Sequence, residues 1–236
     1  PKGGKVRLYA LGSFDSLNPY TYNGDAMGAA ATNETLLTSA LDEPSTEYGL
    51  IAAGVWHPDD HASVVYRLRP QARFHDGHPI TPEDVIWSME ALKGSHPFYA
   101  AYYKNVAKAE QTGEHEVTFT FAMAGNRELP QITGQLPILP KHWWTAQDAN
   151  GKPRDITKST LEIPLGSGAY QCVEVKPGEF VRLKRVEDYW GKDLPVNQGQ
   201  NNFDEITYEF FKDQAVALEA FKADRYDFRL ESTAKD

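Results

Sequence analysis

Leu68-Arg69-Pro70-Gln71-Ala72-Arg73-Phe74-His75-Asp76-Gly77-His78-Pro79-Ile80-Thr81-Pro82-Glu83-Asp84-Val85 is the stretch from which the fold of this chain is read. It opens on the end of an alternating run, Ser63 to Arg69. There Val64, Tyr66 and Leu68 share one face and Arg67 and Arg69 the other, the period-two pattern of a half-buried strand. Asp76-Gly77 predicts a tight turn. Thr81-Pro82-Glu83-Asp84 then predicts a helix start. The Thr81 hydroxyl can cap amides of the first turn, Pro82 suits the first helical position, and two carboxylates sit at the positive end of the helix dipole. Val85, Met89 and Leu92 recur at i, i+4 and i+7, which gives that helix one buried face.

Outward from this unit, strands outnumber helices. Upstream, Val6, Leu8 and Ala10 alternate within a strand from Lys5 to Leu11, and a loop rich in turn-formers runs from Gly12 to Pro19 and on to Tyr22. The Ala-rich segment from Ala26 to Thr38 predicts a helix. Downstream, Val106 to Gln111 and Glu116 to Ala122 predict a hairpin with Val117, Phe119 and Phe121 facing inward. A second hairpin is predicted from Tyr170 to Lys176 and Phe180 to Val186, around Pro177-Gly178. Ile206, Tyr208 and Phe210 predict another strand, Asp213 to Ala223 a helix, and Tyr226 to Leu230 a final strand. The class is α+β with mixed sheets. The Pro- and polar-rich stretch from Trp144 to Pro164 marks a lobe boundary.

Composition narrows the function. The chain has 236 residues, a net charge of −9 and 41% hydrophobic residues, a globular profile with too much apolar content for disorder. Its 15 Pro and 18 Gly interrupt any coiled coil. No apolar run approaches the roughly 20 residues of a bilayer-spanning helix. An acidic balance without a basic stripe argues against nucleic acid as a partner. The single cysteine, Cys172, allows neither an internal disulfide nor a multi-cysteine metal site, and its strand-like setting reads as a packed thiol.

No constellation of catalytic residues emerges. His57-Pro58-Asp59-Asp60-His61 and His75-Asp76-Gly77-His78 look metal-like, but both fall in turns, where Asp, Gly and Pro serve the backbone, so no metal site is expected from them. Gly166-Ser167-Gly168-Ala169-Tyr170 lacks the spacing of a nucleophile elbow and is too short for a dinucleotide fingerprint. No cofactor and no catalytic residue is expected. The aromatics carry two readings. Phe98-Tyr99-Ala100-Ala101-Tyr102-Tyr103, with Tyr20 and Tyr22 in the first loop, is either core or a set of loop rings that grip an extended, variable ligand.

Several of these segments together resemble the dipeptide/oligopeptide/nickel-type (family 5) extracellular solute-binding proteins of ABC importers. The stretch from Leu68 to Val85 resembles that family's strand, F-x-D-G-x-P turn and capped helix. Gly166-Ser167-Gly168-Ala169-Tyr170 resembles its G-T-G-P-Y hairpin start, with Ser167 and Ala169 in place of Thr and Pro. Arg185-Val186-Glu187-Asp188-Tyr189-Trp190 resembles its R-N-x-x-Y-W, and Ala220-Phe221-Lys222-Ala223 with Tyr226-Asp227 its helix exit. Phe14-Asp15-Ser16-Leu17-Asn18-Pro19 and Leu136-Pro137-Ile138-Leu139-Pro140-Lys141-His142-Trp143-Trp144 look most like the Yej-type peptide-importer subgroup.

The resemblance implies a type II periplasmic-binding-protein-like fold: residues 1–37 as the first part of lobe I, 38–161 as an inserted small α+β domain, and 162–236 as the second part of lobe I. The other lobe is expected to lie outside this sequence, as is any signal peptide. The implied function is capture of oligopeptides in an interlobe cleft and delivery to an inner-membrane ABC permease from the periplasm, without catalysis. A metal chelate or other small solute is the alternative ligand. Family positions carried onto this sequence place Tyr22, Asn23 and Asp25 on the lobe I side of the cleft. They place Tyr99 and Tyr102 on the inserted domain, and Glu231 and Ser232 where the chain returns to the cleft.

Overall fold

The computed structural model describes residues 1–230. Strand β1 (Lys5–Leu11) is followed by a long loop and two short strands, β2 (Leu37–Ser39) and β3 (Glu47–Gly49), which pair antiparallel. Strands β4 (Ala52–Trp56), β5 (Ser63–Leu68), β6 (Val106–Gly113) and β7 (Glu116–Phe121) form an antiparallel sheet in the order β4-β5-β7-β6. The alternation read from the sequence holds on both central strands: Val64, Tyr66 and Leu68 of β5 and Val117, Phe119 and Phe121 of β7 are buried. The Tyr66 phenol, deep under this sheet, is satisfied by the Pro130 carbonyl and by Thr133 Oγ1 at 2.9 Å.

Helix α1 (Pro82–Ser95) packs across this sheet through Val85, Met89 and Leu92. Its start is a full capping box: the Asp84 amide donates to Thr81 Oγ1 at 3.3 Å, and the Thr81 amide donates to Asp84 Oδ2 at 2.9 Å. Asp84 does more than cap. Its other oxygen accepts the Lys141 amide at 3.1 Å, which fixes the start of a later one-turn helix, α4 (Lys141–Trp144). Between them lie α2 (Pro97–Tyr102), directly after α1, and α3 (Leu129–Gly134).

The second four-stranded sheet has the order β1-β10-β9-β8, from the hairpin β8 (Tyr170–Lys176) and β9 (Phe180–Arg185) and from β10 (Glu205–Phe211). β1 and β10 run parallel, Lys5 opposite Glu205 and Leu11 opposite Phe211, so the chain's first strand is completed by one two hundred residues later. One face packs Val181, Leu183 and Cys172 against Phe14, Leu17 and Ala30 of the first loop. The other face receives helix α5 (Gln214–Lys222), whose Ala217 and Ala220 meet Phe211 and Tyr226. Burial pushes the Cys172 thiol up to about 11, so it stays protonated and inert, as its strand setting implies.

Two expectations change here. Ala26 to Thr38 is not a helix: only Gly28–Ala30 makes a single 3-10 turn, and the chain then runs extended into β2. The reason is tertiary. The Thr32 carbonyl accepts the amides of Ser167 (3.0 Å) and Gly168 (2.8 Å), the Glu34 amide donates to Ser167 Oγ at 2.9 Å, and the Glu34 carbonyl accepts the Ile138 amide at 2.9 Å. Those cross-chain bonds replace the intrahelical ones, and the weak Ala propensity yields. Tyr226 to Leu230 is not a continuous strand; it touches β1 by one parallel bridge, Leu8 to Phe228. The segment is also held by the Arg7–Asp227 ion pair at 2.6 Å and by the Asp227 amide, which donates to the Arg7 carbonyl at 2.8 Å.

Candidate functional site

The first loop is pinned rather than free. The Asp25 carbonyl accepts the amides of Asp15 (3.0 Å) and Ser16 (3.3 Å), and the Asp25 amide donates to Asp15 Oδ1 at 2.8 Å. Asn18 Nδ2 donates to the carbonyls of Ile156 and Lys158, Thr21 Oγ1 to Thr157, and Ser159 Oγ to the Asn23 carbonyl at 2.9 Å. Gly24, at φ +96°, closes this arrangement; a Cβ there would stand 2.6 Å from both Asp15 Oδ1 and Ser159 Oγ. The loop therefore presents Tyr22 at a set place, 67% exposed.

Opposite Tyr22 stands the aromatic run, which forms helix α2 rather than a loop. Pro97 takes the first helical position, and His96 caps the turn by accepting the Phe98 amide on Nδ1 at 3.0 Å. That cap orients the imidazole edge-on to Tyr22 (centroids 5.4 Å) and to Tyr99 (5.7 Å). Phe98, 58% exposed, lies against both Tyr99 (5.4 Å) and Tyr102 (5.5 Å). Tyr99 stacks on buried Tyr103, which roots the patch in the main core. Tyr102 donates its hydroxyl to Gln135 Oε1 at 2.9 Å. Burial pushes the phenols of Tyr20, Tyr99 and Tyr103 up, so all three keep their protons.

Of the residues selected from the sequence, the structure brings Tyr22 and Tyr99 together through His96 and adds Tyr102 through Phe98. Asn23 and Asp25 are exposed on the same loop, and their main chain is what builds it. Glu231 and Ser232 lie outside the described residues. The sequence reading passed over His96 as a bridge. Its signal is the His-Pro pair, a possible cap and first-turn proline, although histidine is an unusual cap.

The remaining polar constellations are mixed. His57 and His61 stack at 4.5 Å within their turn. His75 bonds the Gly168 carbonyl through Nε2 at 2.8 Å, and burial pushes its imidazole down. Among the described residues, Asp76, His78 and His142 bring metal-ligand atoms within 4.8 Å of one another. Also among the described residues, no helix is long and apolar enough to cross a membrane.

This assembly of two sheets, capped helix and pinned loop is a partial type II periplasmic-binding-protein fold, mixed α+β. It superposes on the oligopeptide-binding protein AppA of Bacillus subtilis, solved in complex with a nonapeptide, with a TM-score of 0.73. That match has 20% identity and covers 95% of this chain and 43% of AppA. NikA of Brucella suis, solved with Fe(III)-EDTA, matches with a TM-score of 0.74 at 19% identity, over 94% of this chain and 42% of NikA. The sequence profile of bacterial extracellular solute-binding proteins, family 5, matches residues 46–236. The chain is 50% identical over 235 residues to the probable peptide-binding protein YejA of Agrobacterium fabrum, which covers 99% of this chain and 38% of that protein. The chain belongs to the family 5 extracellular solute-binding proteins of ABC importers, in the Yej-like subgroup. It spans about two fifths of the length of that curated relative.

Proposed function

We propose that this chain is part of a periplasmic protein that captures oligopeptides in a cleft between two lobes and hands them to an inner-membrane ABC permease, without chemistry of its own. The observation that carries the reading is the aromatic patch of Tyr22, His96, Phe98 and Tyr99, contributed by the pinned first loop and by α2. Two exposed rings, Tyr22 and Phe98, beside the partly exposed His96 and Tyr99 on rigid supports suit an extended chain of varied side chains. Half identity to a probable peptide-binding protein supports the same ligand class. The separation of the two four-stranded sheets supports β1 and β8–β10 as parts of lobe I and β4–β7 as an inserted domain, with the proposed division at 37/38 passing through β2 and that at 161/162 lying between the sheets. A main core that includes Ala169, Tyr189 and Trp190 joins the two.

The test is native mass spectrometry of the protein purified from its host in full length, with and without Tyr22→Ala and Tyr99→Ala combined. The expected result is a set of co-purified masses that fragment as peptides and are depleted in the double variant. A single non-peptide mass or a metal chelate would keep the fold and overturn the ligand class. Peptides retained equally by the double variant would remove the aromatic patch from the site.

A further inference from the structure

Asp76 and His78 flank the glycine of the turn that precedes α1, and α4 brings His142 against them. Asp76 Oδ2 lies 2.9 Å from His78 Nδ1 and 2.7 Å from His142 Nε2. The two imidazoles stack with centroids 4.2 Å apart and planes 26° from parallel. Two ring nitrogens thus converge on a single carboxylate oxygen.

We propose that Asp76, His78 and His142 form a binding site for a divalent transition-metal ion, with Zn2+ the best match. Two imidazoles and one carboxylate make a borderline donor set that favours zinc, nickel or copper over magnesium and calcium, which prefer oxygen alone. Zinc bonds to such atoms at about 2.0–2.2 Å, so a tetrahedral ion needs its ligands roughly 3.3 Å apart. The contacts at 2.7 and 2.9 Å open by about half an ångström to admit it. Each imidazole binds the ion through the ring nitrogen that now faces Asp76, in the neutral tautomer that carries its proton on the other ring nitrogen. His78 is 61% exposed at its side chain, which gives the ion a path from solvent and leaves outer positions to water.

The supports around these three groups are those of an organised site. Asp76 Oδ1 accepts the His78 amide at 3.1 Å, which leaves Oδ2 for the imidazoles. Gly77, at φ +90°, makes the turn, and the Phe74 amide donates to the His78 carbonyl at 2.9 Å to close it. Phe74 meets the His142 ring edge-on at 5.6 Å. On the other side of the junction, α4 is held by Asp84 on the Lys141 amide and by the Lys141–Glu83 pair at 2.6 Å. Such outer contacts fix ligand geometry. The site shares no residue with the aromatic patch, and an ion in it staples the turn to α4.

The experiment is a titration of Zn2+ alone into metal-stripped protein, followed by calorimetry and thermal unfolding, with Co2+ as a visible-spectrum probe. One equivalent is expected to bind and raise the melting temperature, since a ligand that binds only the folded state stabilises it. The Co2+ spectrum should carry the bands of a four-coordinate nitrogen and oxygen site. His142→Ala and, separately, His78→Asn should each weaken binding at least about tenfold. His78→Asn changes an exposed side chain and keeps the fold, which circular dichroism verifies. His57→Ala with His61→Ala should leave binding unchanged. Absence of binding at about 1 mM Zn2+, or equal affinity in His78→Asn and the parent, would overturn the site.

Discussion

Two regions of this molecule are built on opposite principles. At one, the Gly166-Ser167-Gly168 segment presses its backbone onto Thr32: a Cβ on Gly166 would stand 2.1 Å from Thr32 Oγ1 and 2.9 Å from the Thr32 carbonyl. The His75 amide donates to the Gly166 carbonyl at 2.9 Å, His75 Nε2 bonds the Gly168 carbonyl, and Trp190 Nε1 donates to the Ser167 carbonyl at 2.9 Å. Three of the motifs that carry the family resemblance meet there, the turn through His75, the Gly-Ser-Gly start and the Tyr-Trp end. At the other region, Tyr22 and Phe98 stand exposed on supports that no motif marks. The lesson is that the recognisable residues make the scaffold, and the residues proposed to meet the ligand stand on it without a motif of their own.

The largest expected break of this contrast is Gly166→Ala. The added methyl has no space, and overpacking of this kind costs about 1–3 kcal/mol. Denaturant unfolding measures it, and an unchanged midpoint would remove the junction as the tight point of the fold. Thr81→Ala should cost about 1 kcal/mol through the lost cap and leave ligand affinity unchanged. A change in affinity at constant stability would place Thr81 in the site instead.

A smaller effect separates scaffold from surface by pH. Burial raises the carboxyl of Glu34, half-buried at the junction, against the opposing bond from the Tyr189 hydroxyl at 2.7 Å. A raised folded value means the folded state holds the proton more tightly. The Glu34 contribution is therefore complete below the ordinary glutamate range and is lost as pH rises through the folded value. Glu34→Gln should flatten that part of the stability curve, and parallel curves for parent and variant would refute the assignment. The smallest stability effect belongs to Tyr22→Ala, expected within about 0.5 kcal/mol because the ring is mostly solvated, while peptide affinity falls. A large loss of melting temperature would make Tyr22 structural. Tyr102→Ala stands between the two regions: its bond to Gln135 predicts a modest stability loss beside any loss of affinity.

What was legible follows the range of the interactions involved. The capped helix α1, both hairpins and the alternating faces of β5 and β7 were legible because caps, turns and period-two burial are set within a few residues. The helix expected from Ala26 to Thr38 failed because Thr32 and Glu34 bond to Ser167, Gly168 and Ile138, partners more than a hundred residues away. The aromatic run was legible as aromatic, but not which of its rings is buried: Tyr103 is core and Phe98 is exposed.

By itself the sequence determined the class, the strand–turn–helix unit and the family, since each rests on local pattern and on motif order. Only the tertiary structure decided that β1 completes its sheet with β10, that His96 joins Tyr22 to Tyr99, and that His142 reaches Asp76 and His78. Apart from the local His96–Tyr99 contact, each of these spans tens to hundreds of residues. Local propensity carries no information about such pairs; burial of shared apolar faces and satisfaction of backbone hydrogen bonds select them when the whole chain packs.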